Sequence, residues 1–352
     1  MIKKNSFDLI KALAALSILL LHFTGYAWLT LKDASPVIIS DIRNVVTFFP
    51  GVVVFFSVSG FLTAASLEKS EGIREFLIKR AKRIYPGLWI CMAVNIIAVC
   101  IIKGGTGWMD KSFILWIFTQ GIGIANTPAC LKDFATGSIN GPLWTVMVQL
   151  QFYVLLALFY GKIKDRLSKK AWLFGVFPIM FVLNILSAFA AGRSELLGKL
   201  LERSFIPYIG WFAAGVFCYR FLDELCTRFK KLFWILLIIY IIYFAAVALL
   251  PEEISEVLGY GYYTSAAGSY LCAFMIPMLG MGAISILPQV RFKTDISYEV
   301  FLYHWIVLNA LVYYDAYHLL GWIPTLLILL AGTLVLSIVS KILMRLFLRH
   351  EA

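Results

Sequence analysis

Long apolar segments recur along almost the whole chain, and they leave little room for any other kind of structure. We interpret ten of them as membrane-spanning helices, which need roughly 20 apolar residues each to cross the hydrocarbon core. They lie near residues 7–28, 44–66, 84–102, 142–160, 171–191, 205–220, 232–250, 264–287, 297–314 and 322–347. Composition agrees, since 61% of the 352 residues are apolar and 14% are charged, against about 25% charged in soluble domains. The sequence therefore predicts a single all-α domain over residues 1–352, a polytopic membrane helix bundle.

Charged loops decide how one further, shorter apolar stretch at 112–127 is read. Loops rich in Lys and Arg stay in the cytoplasm. If 112–127 does not cross the membrane, the loops that contain the basic residues named below are cytoplasmic, as are both termini, and the acidic loop 251–258 lies outside. The basic positions are Lys3, Lys4, Lys69, Arg74, Lys79, Arg80, Lys82, Arg83, Lys162, Lys164, Arg166, Lys169, Lys170, Arg220, Arg228, Lys230, Lys231, Arg291, Lys293, Arg345 and Arg349. We therefore expect ten spans and a re-entrant or interfacial segment at 112–127.

Net charge and cysteine usage exclude other classes of protein. The net charge of +11 comes mostly from the short loops, which is typical of membrane topology and does not indicate a nucleic-acid-binding face. The six cysteines show no C-x-x-C spacing, so we expect neither a disulfide framework nor a metal site. The start, MIKKNSFD, lacks a signal-peptide cleavage pattern, and the first apolar segment is expected to be an uncleaved helix.

The first span contains a histidine, His22, in the run FDLIKALAALSILLLHF. Lys11 lies eleven residues earlier, on nearly the same helix face and about 16 Å away along the axis, and Asp8 lies near the same end. Ionisable residues at membrane depth usually belong to a pathway or a reaction centre. The alternative is a histidine that only packs within the bundle.

Arg80 and Arg83 form a second cluster, in FLIKRAKRIYPGLW. Their spacing of three puts both guanidinium groups on one helical face at the cytoplasmic surface, where a pair of planar donors suits phosphate groups. The alternative is a stop-transfer cluster that meets anionic lipid.

Two further spans carry polar residues. Amides in hydrocarbon need partners, so those in the span 142–160 should face the bundle interior, either to join helices or to meet a substrate. The polar and aromatic residues of that span are Trp144, Gln149, Gln151 and Tyr153. The span 297–314 carries Glu299 and His304, which are about 140° apart on a helix, so a direct pair is not expected.

Taken together, these stretches resemble the membrane-bound acyltransferase family 3, whose members O-acylate, mostly O-acetylate, carbohydrates. The resemblance runs from Phe7 to about Leu348. The family's Arg, ten residues, then His is matched by Lys11 and His22, with Lys in place of Arg. GVVVFFSVSGFL at 51–62, Arg80-x-x-Arg83, GPLWTVMVQLQFY from 141 and ISYEVFLYH from 296 match its later motifs in order. Many members carry an acidic residue where this chain has Val53, and a Glu where it has Gln149.

The resemblance implies a multi-pass O-acyltransferase of the cell membrane, a bacterial cytoplasmic membrane. Its donor would be cytoplasmic acetyl-CoA or another acyl-CoA, with no tightly bound cofactor, and its acceptor a hydroxyl of a cell-surface or lipid-linked carbohydrate. It implies His22 as the catalytic residue, as general base or as carrier of the acyl group. The implied donor-binding residues are Lys11, Arg80 and Arg83. The implied supporting residues are Asp8, Trp144, Gln149, Tyr153 and His304.

Two other functions fit parts of the sequence. A secondary transporter or flippase for a lipid-linked sugar or acyl carrier would share the polar spans and the cationic cytoplasmic rim, but such proteins often contain two related halves, and the sequence has none. An assembly protein with structural polar residues does not account for His22, Lys11 and the arginine pair in one ordered set. The acceptor sugar, the acyl length and the oligomeric state stay open.

Overall fold

The computed structural model describes residues 5–261, 266–283, 287, 292 and 294–349, and these residues contain helices and no β-strand. The helices are α1 (Phe7–Leu31), α2 (Val37–Phe48), α3 (Gly51–Glu68), α4 (Ile73–Ile102), α5 (Lys111–Gly121), α6 (Leu143–Ile163), α7 (Lys169–Ala171), α8 (Phe177–Ala191), α9 (Glu195–Glu202), α10 (Ile209–Arg220), α11 (Leu222–Leu225), α12 (Phe229–Leu249), α13 (Glu252–Gly259), α14 (Ala266–Gly280), α15 (Ser297–Tyr313), α16 (Ala316–Leu320) and α17 (Trp322–Arg349). One π-helical turn, Trp172–Val176, joins α7 to α8. The topology signals at Lys3, Lys4, Arg291 and Lys293 lie outside the described residues.

Seven helical stretches of the described chain are long and apolar enough to cross a membrane. They are Phe7–Ala34, Val37–Glu68, Ile73–Ile102, Leu143–Ile163, Lys169–Ala191, Leu222–Leu249 and Trp322–Leu346. The counterparts of three predicted spans are shorter: α10, α14 and α15 have 12, 15 and 17 residues. The predicted span 264–287 includes residues 264–265 and 284–286, which lie outside the described residues. The prediction of an all-α membrane bundle is confirmed, whereas the count of ten spans stays a prediction.

Two helix boundaries differ from the hydropathy pattern. α4 begins at Ile73 rather than at 84, because the charged residues before the apolar segment are good helix formers and continue the helix. Arg80 and Arg83 therefore lie within α4, and Pro86 is inside the helix, where its missing N–H removes one intrahelical hydrogen bond. The predicted span 44–66 is divided between α2 and α3, since Pro50 adopts an extended conformation before α3.

The segment around α5 is a hairpin made of one helix and an irregular return segment. Asp110 caps α5 by accepting hydrogen bonds from the Phe113 amide and the Ser112 hydroxyl, and the Ser112 bond holds the pKa of Asp110 below its usual range. After Gly121 the chain turns back, and Trp116 Nε1 donates to the Asn126 carbonyl at 3.1 Å. With only 11 residues, α5 is about 16 Å long and too short to cross alone. That 112–127 is re-entrant or interfacial stays a prediction.

The described chain divides into two compact units whose segments alternate along the sequence. The first comprises Met1–Ala14, Phe49–Ile78 and Val148–Lys293, and the second comprises Ala15–Phe48, Lys79–Met147 and Thr294–Ala352. Within the first unit, α3 and α10 meet at glycines: a Cβ at Gly60 would lie 2.0 Å from the Phe212 carbonyl oxygen, and one at Gly215 would lie 2.0 Å from that of Ser57. Small residues allow membrane helices to pack this closely. The prediction of one domain over 1–352 stays a prediction.

Candidate active site

Two histidines from distant parts of the sequence meet in the second unit. His22 Nδ1, on α1, lies 2.8 Å from His304 Nε2, on α15. The ring planes are within 6° of parallel and their centroids are 5.1 Å apart, as expected when the two nitrogens meet close to both ring planes. His304 is fully buried, whereas the His22 side chain is half-buried. The more accessible ring of the pair is therefore His22.

The hydrogen bonds of His304 assign the tautomers of both rings. His304 Nδ1 lies 3.2 Å from the Val300 carbonyl oxygen, which can only accept, so this nitrogen carries the proton. In a neutral pair, His304 Nε2 then has a free lone pair and accepts a hydrogen bond from His22 Nδ1. The consequence is that His22 Nε2 has a lone pair available for a proton or an acyl group.

An indole ring holds the His22 imidazole from a second side. Trp305 packs edge-on against His22, with ring centroids 4.8 Å apart and an interplanar angle of 86°. Trp305 Nε1 donates to the Ser138 carbonyl at 2.9 Å, and a Cβ at Gly141 would lie 2.4 Å from the indole ring. The segment between the α5 hairpin and α6 thus fixes the indole, and the indole fixes the orientation of His22.

The same segment is anchored by an asparagine one helical turn beyond Trp305. Asn309 Oδ1 accepts from the Thr136 hydroxyl at 2.7 Å and from the Thr136 amide at 3.3 Å. Its Nδ2 donates to the Ser138 carbonyl at 2.9 Å. Tyr26, one turn after His22 on α1, donates a longer bond of 3.4 Å to the Thr136 carbonyl. α1 and α15 therefore run in the same direction past this segment.

The arginine pair lies at the other end of the same unit. The Tyr298 hydroxyl donates to the Ile84 carbonyl at 3.3 Å, and Cys91 Sγ lies 4.0 Å from the Leu302 carbonyl oxygen, so α4 and α15 also run in the same direction. Arg80 is half-buried and Arg83 is exposed. His304 follows Tyr298 by six residues, about 9 Å along α15. The arginines and the histidine pair are thus separated along one axis by on the order of 10 Å.

Glu299 and His304 do not form a pair, and the sequence predicted that they would not. Its Oε1 accepts from Lys341 Nζ of α17 at 2.8 Å, and the Glu299 side chain is 1% exposed against 27% for Lys341. This ion pair joins α15 to α17, and Glu299 precedes His304 by five residues along α15.

The remaining predicted residues lie elsewhere. In the first unit, Lys11 forms an ion pair with Asp8 at 2.9 Å, three residues earlier. Gln149 Nε2 donates to Ser59 Oγ at 2.9 Å and to the Tyr153 hydroxyl at 2.5 Å. Trp144 belongs to the second unit and is half-buried near the start of α6.

Sequence reasoning missed Trp305, Asn309 and Tyr26. Asn309 is an amide inside an apolar span, as Gln149 is, and Trp305 directly follows His304. These features of the sequence could have identified both residues. Among the described residues, no group of three His, Cys, Asp or Glu side chains has an arrangement that could hold a metal ion.

The fold and the histidine pair define a polytopic membrane protein with a polar cluster inside its helices. The family model described as an acyltransferase domain, that of acyltransferase family 3, matches residues 4–342. The chain belongs to this family, and it is a membrane-embedded O-acyltransferase. Membership also sets the transporter and assembly-protein interpretations aside.

Two relatives are similar to the chain. Nodulation protein 10 of Rhizobium leguminosarum bv. viciae is 25% identical over 343 residues, which cover 91% of this chain and 85% of the relative. An O-acetyl transferase of Shigella phage Sf6 is 25% identical over 173 residues, which cover 46% of this chain and 48% of the relative. No solved structure matches the chain.

Proposed function

We propose that this O-acyltransferase moves an acetyl group from cytoplasmic acetyl-CoA, or a longer acyl group from another acyl-CoA, to a hydroxyl of a cell-surface or lipid-linked carbohydrate. The observation that carries the proposal is the 2.8 Å contact between His22 and His304. It leaves an accessible ring nitrogen with a lone pair, which acyl transfer to a hydroxyl requires. The similarity to a phage O-acetyl transferase supports the acetyl group.

The chemistry at His22 balances without a cofactor. As general base, His22 Nε2 takes the proton of the acceptor hydroxyl while the oxygen attacks the thioester carbonyl. The C–S bond breaks, a C–O bond forms, and the proton passes from His22 to the departing thiolate to give free CoA. As nucleophile, the same nitrogen attacks the thioester carbonyl, the C–S bond breaks and CoA leaves as a thiolate. The acceptor oxygen then takes the acyl group, the N–C bond to His22 breaks, and the hydroxyl proton passes to the thiolate to give free CoA.

One end of the site is assigned to the acyl-CoA donor. Arg80 and Arg83 bind the CoA phosphates, and Lys11, held by Asp8, is a further donor-binding residue at its motif position. The arm of acyl-CoA that carries the thioester spans on the order of 10 Å, from the arginines to the histidine pair. Trp144, Gln149 and Tyr153 support the surrounding helices. The protein lies in a bacterial cytoplasmic membrane with both termini in the cytoplasm, in keeping with its basic loops.

The experiment is acetyl transfer by purified protein in lipid nanodiscs, with labelled acetyl-CoA and a saccharide acceptor, together with mass spectrometry of surface polysaccharide from cells with and without the gene. We expect His22→Ala to insert normally and to lose transfer by about two to four orders of magnitude. His318→Ala is the matched control, because that histidine is exposed and pairs with Asp315. Full activity of His22→Ala would contradict the proposal.

The same preparation separates the two roles of His22. Release of CoA in the absence of an acceptor, with label retained on the protein, identifies the acyl carrier. A strict requirement for the acceptor before any CoA is released identifies the general base.

A further inference from the structure

Helix α2 has a polar stripe that the proposed chemistry does not use. Ser40, Arg43, Asn44 and Thr47 follow the spacing i, i+3, i+4, i+7 and therefore share one face of the helix. The adjoining exposed face carries Val37, Ile38, Val45 and Phe48, with the exposed Asp41 among them. Polar and charged side chains at membrane depth usually face a hydrated space rather than hydrocarbon.

The position of α2 puts this stripe at the depth of the catalytic histidine. The Ser17 hydroxyl donates to the Val46 carbonyl at 3.2 Å, while Ile39 packs in one buried cluster with Phe23 and Ala27. α2 therefore runs antiparallel to α1, and Arg43, between Ile39 and Val46, lies beside the part of α1 that contains His22. All of these residues belong to the second unit.

The guanidinium group of Arg43 packs against Gly25 of α1. Its Nη1 lies 3.2 Å from the place where a Cβ of Gly25 would be, and Gly25 follows His22 by three residues, so the two share neighbouring positions on α1. Within the described residues, Arg43 makes no ion pair with a carboxylate. A cation at this depth without a counter-ion is costly unless a ligand supplies the negative charge.

The direction of the helices decides which substrate meets Arg43. The arginines assigned to the donor lie near the start of α15, and the histidine pair comes next along the unit. Gly25 and Tyr26 lie beyond His22, toward the end where Thr136 and Asn309 meet. Arg43 therefore lies on the acceptor side of the reaction centre.

We propose that Arg43 binds a negatively charged group of the acceptor, a phosphate or a carboxylate, beside His22, and that the polar stripe of α2 lines the acceptor's path. This inference rests on the proposed function and names the class of its acceptor: a saccharide that carries an anionic group. A planar guanidinium makes two parallel hydrogen bonds to either anion. The phosphate of a lipid-linked saccharide and the carboxylate of an acidic sugar are the two sources of such a charge.

The test compares three synthetic acceptors of one saccharide: uncharged, bearing a phosphate monoester, and bearing a hexuronic acid. Equilibrium binding to the protein in nanodiscs is measured without donor, and transfer kinetics are measured with acetyl-CoA. The parent protein should bind one of the charged acceptors about ten- to a hundredfold more tightly than the uncharged one. The acceptor that shows the preference identifies the source of the charge.

Arg43→Gln should abolish this preference and raise the KM for the charged acceptor. Arg43→Lys keeps the charge without the planar fork and should retain part of the preference, which also covers poor folding of the first variant. Lys103→Gln removes an equal charge from an exposed position at the end of α4 and should change nothing. A preference retained by Arg43→Gln, or absent from the parent, overturns the inference.

Failure of the proposed function gives a different result. In that case the parent transfers acetyl to none of the three acceptors. The binding measurement, which needs no turnover, still decides whether Arg43 holds the anion.

Discussion

His304 Nδ1 lies 3.2 Å from the carbonyl oxygen of Val300, one helical turn earlier in α15. This backbone contact fixes the proton on Nδ1 and turns the other nitrogen of His304 toward His22 as a hydrogen-bond acceptor. In Ser-His-Asp enzymes a carboxylate accepts from the catalytic imidazole in the same way. Here a neutral ring does so, inside a membrane helix bundle where an isolated carboxylate would be costly.

Removing the acceptor on His304 should slow transfer without weakening donor binding. We expect His304→Ala to lower kcat by less than the roughly 10²–10⁴-fold that a general base contributes, because His22 keeps its place but loses the contact that fixes its tautomer. His304→Gln should recover part of the rate, since a carboxamide oxygen can accept from His22 Nδ1. Initial rates over a range of acetyl-CoA concentrations separate kcat from KM. Equal rates for His304→Ala and the parent would remove His304 from the mechanism.

Arg80 and Arg83 should determine donor affinity. If both hold CoA phosphates, removing either loses charge-assisted hydrogen bonds worth about 1.5–3 kcal/mol, and the affinity falls roughly ten- to a hundredfold. Lys should rescue only partly, because it keeps the charge but not the planar fork. Binding of acetyl-CoA to purified variants measures this. A stop-transfer role predicts instead full rescue by Lys, and parent-like binding by Arg83→Ala would rule out the phosphate contact.

Asn309 should stabilise the segment that holds Trp305. Asn309→Ala removes the acceptor of the Thr136 amide and one donor to the Ser138 carbonyl, which keeps the Trp305 indole as a donor. We expect a loss of about 0.5–1.5 kcal/mol for each hydrogen bond removed. We expect a lower midpoint of thermal unfolding in detergent. Thr106→Ala, at an exposed loop position, is the control. An unchanged midpoint for Asn309→Ala would show that these bonds contribute nothing to stability.

The ion pair between Glu299 and Lys341 should respond asymmetrically to substitution. Lys341→Met leaves a carboxylate that is 1% exposed without its cation, and breaking buried pairs costs about 3–5 kcal/mol. Glu299→Gln should be milder, because Lys341 is 27% exposed and remains partly hydrated. The double variant should recover much of the loss from Lys341→Met. A double-mutant cycle from thermal unfolding gives the coupling energy, and strict additivity would contradict the pairing.

Loop labelling tests the topology. In a background in which Cys100, Cys130 and Cys226 are changed to Ser, Lys170→Cys should react with membrane-impermeant maleimide only after the membrane is opened. Glu253→Cys should react in intact cells, because basic loops stay in the cytoplasm. Labelling of Lys170→Cys in intact cells would mean that 112–127 crosses the membrane.

The sequence predicted the helices better than it predicted their contacts. Apolar runs give the spans, because hydrocarbon admits few other structures, and the position of His22 within α1 follows from its run alone. The partner of His22 does not, since His304 lies 282 positions away and pairing depends on which faces of α1 and α15 meet. A five-residue spacing did correctly separate Glu299 from His304.

Helix boundaries and the role of α2 were beyond the sequence pattern. Hydropathy detects apolar residues, so it placed the start of α4 at 84 and overlooked the charged turns from Ile73 that continue the same helix. Arg43 lies just outside the predicted span 44–66, where a cation is ordinarily a loop residue. Only the antiparallel packing of α2 against α1 shows that Arg43 lies at the depth of His22.

The shared hydrogen bond of the two histidines has an electrical consequence. The tautomers were assigned for a neutral pair, and such a pair carries no charge on which a transmembrane voltage can act. The protonation and hydrogen bonding of this pair should therefore be the same in energised and in de-energised membranes.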